Sequence, residues 1–231
     1  MQILSIIMAA IAPGLSLLAF FYLKDRYETE PIHLVVKVFL LGALLVFPSM
    51  ILQNELLGIG KVNDFVFSFV ITSGIEEFLK FFLLYHMIFH HKAFDEPYDG
   101  IVYAVSISLG FATLENIFYA LFNSMTFTNL LVRALLPVSG HALFGVSMGY
   151  YMGKAKFEPS KKKIFLFLSL LVAVFWHGLF DYIMLVATNY WMWIMIPFMI
   201  ILWLRTMWKV EQAHEHSPFR VFHREEKVKL S

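Results

Sequence analysis

The sequence predicts an all-α, polytopic bundle of transmembrane helices, and three observations predict it. Hydrophobic residues make up 59% of the 231 positions and charged residues only 15%, where soluble domains run near 45–50% and about 25%. The apolar residues gather in stretches of about 20, the length a helix needs to cross a bilayer core. Charged and turn-forming residues gather between those stretches. This composition excludes a soluble enzyme and a disordered regulator. With Lys+Arg 18 against Asp+Glu 17 there is no bulk charge for nucleic acid, and no nucleic-acid partner is expected. The absence of cysteine removes disulfides, thiolate metal sites and a cysteine nucleophile.

Seven spans follow in order: Ile3–Leu23, Ile32–Gln53, Phe65–Phe89, Gly100–Phe122, Leu130–Gly153, Ile164–Ala187 and Tyr190–Trp208. The first has no Lys or Arg before it and Pro13 after its only small-residue pattern, so it reads as an anchor and not a cleaved signal. The sixth and seventh are divided by a tight turn near Thr188–Asn189, where Trp191 and Trp193 suit an interfacial belt. Fourteen Lys/Arg fall in the loops of one side and the tail from Arg205, against Lys61 alone on the other. By the positive-inside rule the N-terminus is outside and the C-terminus cytoplasmic. Residues 1–208 are expected to form one transmembrane domain and 209–231 a polar cytoplasmic tail.

A charge at the centre of a membrane helix costs about 2.5–3.5 kcal/mol on insertion scales, so each one asks for a reason. Lys37 and Arg133 lie close enough to span ends to snorkel. The rest do not: Glu76, Glu77 and Lys80 in span three, Glu115 in span four, His141 in span five, His177 and Asp181 in span six. At 1.5 Å per residue, Glu76, His141 and His177 lie roughly 17 Å from the outer ends of their spans, Glu115 and Asp181 roughly 10 Å. Neighbouring spans run in opposite directions, yet the depths agree. That points to one water-accessible cavity near mid-membrane, open toward the outside.

Spacing gives these groups roles. Glu76 and Glu77 precede Lys80 by four and three residues, the favourable order for helical ion pairs. Two adjacent carboxylates sharing one lysine favour split protonation, one serving as base. His177 and Asp181 share a helix face, where the carboxylate can orient the imidazole. His141 heads a stripe with Gly145, Gly149 and Gly153, the close-packing face of span five, and span four offers Ala104, Ser108 and Ala112 in return. Glu115 is either a further carboxylate of the site or a partner for a histidine. No HExxH motif and no phosphate-binding loop is present.

The segments EEFLKFF, DEPYDGIVY, GFATLEN, PVSGHALFG and HGLFD together resemble the PrsW family of bacterial membrane proteases, themselves similar to the type II CAAX prenyl endopeptidases. The resemblance implies an intramembrane endopeptidase of the bacterial cell membrane. Its implied role is to cut a single-span anti-sigma factor on the extracytoplasmic side, the first step of regulated proteolysis in a stress response. The paired family glutamates fall on Glu76 and Glu77, the FxxxE glutamate on Glu115, and the histidines on His141 and His177 with Asp181. The prenyl endopeptidases end this last motif in Asn, so their mechanism does not transfer directly.

The expected chemistry is hydrolysis by an activated water. Glu76 or Glu77, with His141, would take the water's proton. His177, oriented by Asp181, or the second glutamate would polarise the carbonyl. No cofactor is required by this reading. A divalent metal held by Glu76, Glu115, His141, His177 and Asp181 is the alternative, and a proton-coupled transporter would also place such groups at mid-membrane.

Overall fold

A computed structural model describes residues 3–123 and 127–220. The expected tail beyond Arg220 and the middle of the loop between spans four and five lie outside the described residues. Among the described residues all regular structure is helical. The chain runs α1 (Ile3–Leu23), α2 (Ile32–Leu44), α3 (Val46–Leu57), α4 (Asp64–Val66), α5 (Ser73–Met87), α6 (Pro97–Phe122), α7 (Phe127–Arg133), α8 (Ser139–Phe157), α9 (Lys162–Val186) and α10 (Trp191–Glu215).

Among the described residues, six helical stretches are long and apolar enough to cross a membrane. The remaining expected span, the third (Phe65–Phe89), is helical too, from α4 through a π-helical segment (Phe67–Thr72) into α5. It falls short of the other six because it carries Glu76, Glu77 and Lys80. A second π-helical segment, Ala134–Val138, links α7 to α8. The second span is split at Leu45 into α2 and α3. The last helix runs on to Glu215 and buries Lys209, Val210, Ala213 and His214, so the chain past Trp208 begins as packed helix.

Helix α6 is the axis of the bundle, buried along most of its length. Helix α8 lies against it, α2 and α1 cover its other sides, and α9 packs on α8 and α5. Small residues permit this closeness, as the sequence stripe predicts. A Cβ on Gly149 would collide with the Gly100 carbonyl, and one on Gly145 would stand 2.8 Å from Ser108 Oγ. Gly110 meets the Phe39 carbonyl of α2 in the same way. Helix α5 shows the opposing faces of a lipid-facing element: Phe78 and Phe82 are exposed, while Glu76, Glu77, Lys80 and Leu84 are buried. Lys37 is exposed, as snorkelling requires.

Candidate active site

Glu76, Glu77 and Lys80 of α5, Glu115 of α6, His141 of α8 and His177 of α9 meet, all buried except the half-buried Glu115. Lys80, with 1% of its surface exposed, is the hub. Its Nζ donates to Glu77 Oε1 at 2.7 Å and to Glu76 Oε2 at 3.5 Å. It also reaches His141 Nδ1 at 3.2 Å and lies 4.2 Å above the Phe111 ring. An ammonium has only donors, so His141 Nδ1 accepts and its Nε2 carries the hydrogen. That Nε2 faces Glu115 Oε2 at 3.4 Å.

Glu77 makes the second cross-helix link. Its Oε1 lies 2.8 Å from His177 Nδ1. This differs from the expectation that Asp181 orients His177. Asp181 Oδ2 stands 3.5 Å from His177 Nε2, the other nitrogen, outside hydrogen-bonding geometry. An i,i+4 spacing places Asp181 beside the ring, but the fully enclosed carboxylate of α5 reaches Nδ1 first. His177 is further fixed by stacking on Phe144 (centroids 4.9 Å apart, planes at 16°) and by edge contact with His141 (4.9 Å, 84°).

The two glutamates are thereby distinguished, which sequence spacing leaves open. Glu77 is 0% exposed and sealed between Lys80 and His177. Glu76 lines a cavity of about 390 Å³ together with Glu115, Arg133, His141, His177 and Asp181. A second cavity of about 280 Å³, lined by Val46, Met50, Phe111 and Phe118, shares Gln53, Glu76, Glu115 and Tyr119 with the first. The polar chamber thus adjoins an apolar cleft between α3 and α6. Both lie along the C-terminal half of α6, and the first also along that of α9.

Two residues enter the site that sequence reasoning left aside. Gln53 Nε2 donates to Glu76 Oε1 at 3.2 Å and to Ser49 Oγ at 2.9 Å. The signal available was an amide one turn beyond Ser49 in an apolar run. Arg133, expected to snorkel, instead turns inward. Its Nε donates to Asn116 Oδ1 at 2.9 Å, its guanidinium lies 3.7 Å over Tyr119, and one terminal nitrogen stands 3.7 Å from Glu115.

Donor chemistry suits a divalent ion. Glu76, Glu77, His141 and His177 each offer a ligand atom within 4.8 Å of the others, and imidazole with carboxylate is a zinc-type set. Glu77 Oε2 is buried without a partner, as a waiting ligand would be. Glu77 therefore replaces Glu115 and Asp181 of the expected ligand set in the compact group. Lys80 already places a cationic nitrogen among these donors.

The family described as PrsW family intramembrane metalloprotease matches residues 30–204. The chain is 49% identical to Protease PrsW of Geobacillus kaustophilus over 90% of this chain and 92% of that one. It is 47% identical to Protease PrsW of Bacillus subtilis over 94% and 99%. For Protease PrsW of Clostridioides difficile the identity is 34% over 93% of each. No solved structure matches the chain significantly.

Proposed function

The protein belongs to the PrsW family of intramembrane proteases, and on that premise we propose that it cleaves a single-span anti-sigma factor on the extracytoplasmic side of the bacterial cell membrane, with Glu76 as general base. The peptide hydrolase activity and the multi-pass membrane setting come with the family. The substrate, the sidedness and the residue roles are our reading. One observation carries the assignment of the base: of the paired glutamates, only Glu76 lines the cavity, while Glu77 is sealed behind it.

In this mechanism a water in the polar chamber gives a proton to Glu76 as its oxygen bonds to the scissile carbonyl carbon. Gln53 fixes one Glu76 oxygen and Lys80 lies at the other, so the carboxylate is aimed before substrate arrives. His177 is held by Glu77 through Nδ1, which turns Nε2 toward the chamber. As an imidazolium it donates to the developing oxyanion. When the C–N bond breaks, the leaving amine takes the proton back from Glu76. His141 is bound by Lys80 and Glu115 on its two nitrogens, which fits a positioning role better than the expected role as base. A divalent ion held by His141, His177, Glu76 and Glu77 would acidify the water and polarise the carbonyl.

The test is cleavage of a tagged single-span substrate by purified protein in detergent micelles, with the cut mapped by mass spectrometry. Glu76→Gln is expected to slow the cut by about 10²–10⁴ while the fold survives. Full activity in that variant overturns the assignment. Chelation followed by metal analysis of the active protein decides whether an ion takes part: activity retained without bound metal leaves the water to Glu76 alone.

A further inference from the structure

A second group of buried acids lies at the opposite end of α6 from the active site. Asp25, in the loop after α1, and Glu96 and Asp99, at the start of α6, each offer a carboxylate oxygen within 4.8 Å of the others. Glu30 joins them through its neighbours, accepting from the Tyr103 hydroxyl. Glu96 and Asp99 are 0% exposed and Glu30 4%.

Local structure accounts for only part of this crowding. Asp99 closes back on the helix start, where its Oδ2 accepts from the backbone N–H of Asp95 (2.8 Å) and Glu96 (2.7 Å), the well-formed half of a capping box. The other half is loose. The Glu96 carboxylate faces the Asp99 N–H and the Ser217 hydroxyl without meeting either in strict hydrogen-bonding geometry, and Asp99 Oδ1 and Asp25 Oδ2 are also buried without partners. Four enclosed carboxylate oxygens are left over. No Lys, Arg or His among the described residues pairs with any of these acids. Arg26 is committed to Glu211 at 2.7 Å, and the Lys156 ammonium donates to the His91 carbonyl. Buried carboxylates without a counter-charge are costly.

We propose that Asp25, Glu96 and Asp99 form a divalent-cation site that ties the loop after α1 to the start of α6. An all-oxygen, carboxylate-rich set selects hard ions, Mg²⁺, Ca²⁺ or Mn²⁺, over zinc. The ion takes up the unpartnered oxygens and pins the cytoplasmic end of the axial helix to its neighbour. It is separate from the active site in ligands and in chemistry, and holds whether or not the protease uses a metal.

Mn²⁺ is the probe. Full-length protein in micelles is stripped with chelator, titrated with Mn²⁺ alone and followed by electron paramagnetic resonance and thermal unfolding. The expected result is one Mn²⁺ per chain without nitrogen coupling, beside any ion held in the active site, with a rise in Tm. Both persist in His141→Ala/His177→Ala. Glu96→Gln weakens binding at least tenfold and removes the Tm rise. Asp25→Asn, at a half-buried position that tolerates an amide, does the same and serves if Glu96→Gln fails to fold. Absence of binding, nitrogen coupling in every bound Mn²⁺, or affinity unchanged in Asp25→Asn overturns the proposal.

Discussion

Glu77 and His177 stand one hundred positions apart in the chain and meet with Oε1 and Nδ1 2.8 Å apart, both side chains enclosed by the bundle. The contact joins α5 to α9, and the same Glu77 oxygen holds Lys80. Glu77→Gln is therefore expected to damage the fold as well as the chemistry. Removing one partner of a buried ion pair leaves the other charge uncompensated, at about 3–5 kcal/mol. Unfolding in micelles should show that loss, and cleavage should fall with it. An unchanged Tm would mean that Lys80 finds another partner.

Glu76→Gln is expected to behave differently. Glu76 lies 3.5 Å from Lys80, a longer contact than that of Glu77, and an amide there still accepts a hydrogen bond. Its Tm should fall less than that of Glu77→Gln while the cleavage rate drops by about 10²–10⁴. Paired unfolding and rate measurements on the two variants check the contrast.

Gln53→Leu removes the donor to Glu76 Oε1 without changing charge. The expected outcome is a cleavage rate about tenfold lower, on the order of the net 0.5–1.5 kcal/mol of one hydrogen bond. The loss should appear in kcat more than in KM, because the base is misaimed and the cleft is intact. A pure KM effect would assign Gln53 to substrate binding instead.

Arg133→Lys tests whether the guanidinium fork matters. Arg133 reaches Asn116, Tyr119 and Glu115 at once, which a single ammonium does not reproduce. Cleavage should fall in Arg133→Lys and further in Arg133→Gln. Equal activity of all three forms would return Arg133 to the snorkelling role that its sequence position implies.

Gly149→Ala should destabilise by about 1–3 kcal/mol, because the new methyl meets the Gly100 carbonyl and both helices must shift. Since α6 and α8 carry Glu115 and His141, the shift should also reach the site. Thermal unfolding and cleavage assays of Gly149→Ala, beside Ala142→Gly as a control on the same helix, check this.

The fold and the core of the site were legible because lipid makes charge conspicuous. Glu76, Glu77, Lys80, His141 and His177 stand out in apolar runs, and matched depths across antiparallel spans indicate that they converge. What spacing does not carry is rotation about the helix axis. That is why Glu76 and Glu77 stay interchangeable in sequence, and why Asp181, four residues from His177, looks like its partner when Glu77 is. Gln53 and Arg133 sit near span ends, where polar residues are ordinary, so their inward turn leaves no mark. Asp25, Glu96 and Asp99 read as loop charges because the loop that buries them is a tertiary feature.

The wide helical turns at Phe67–Thr72 and Ala134–Val138 come just before the glutamate pair and His141, and Phe67, Thr72 and Pro137 border the chamber. Each is a place where the helix accommodates an extra residue. Losing one residue there would re-phase everything upstream by about 100° while Glu76 or His141 kept its bearing. The two turns thus set the bearing of the chamber's rim, Arg133 included, relative to Glu76 and His141.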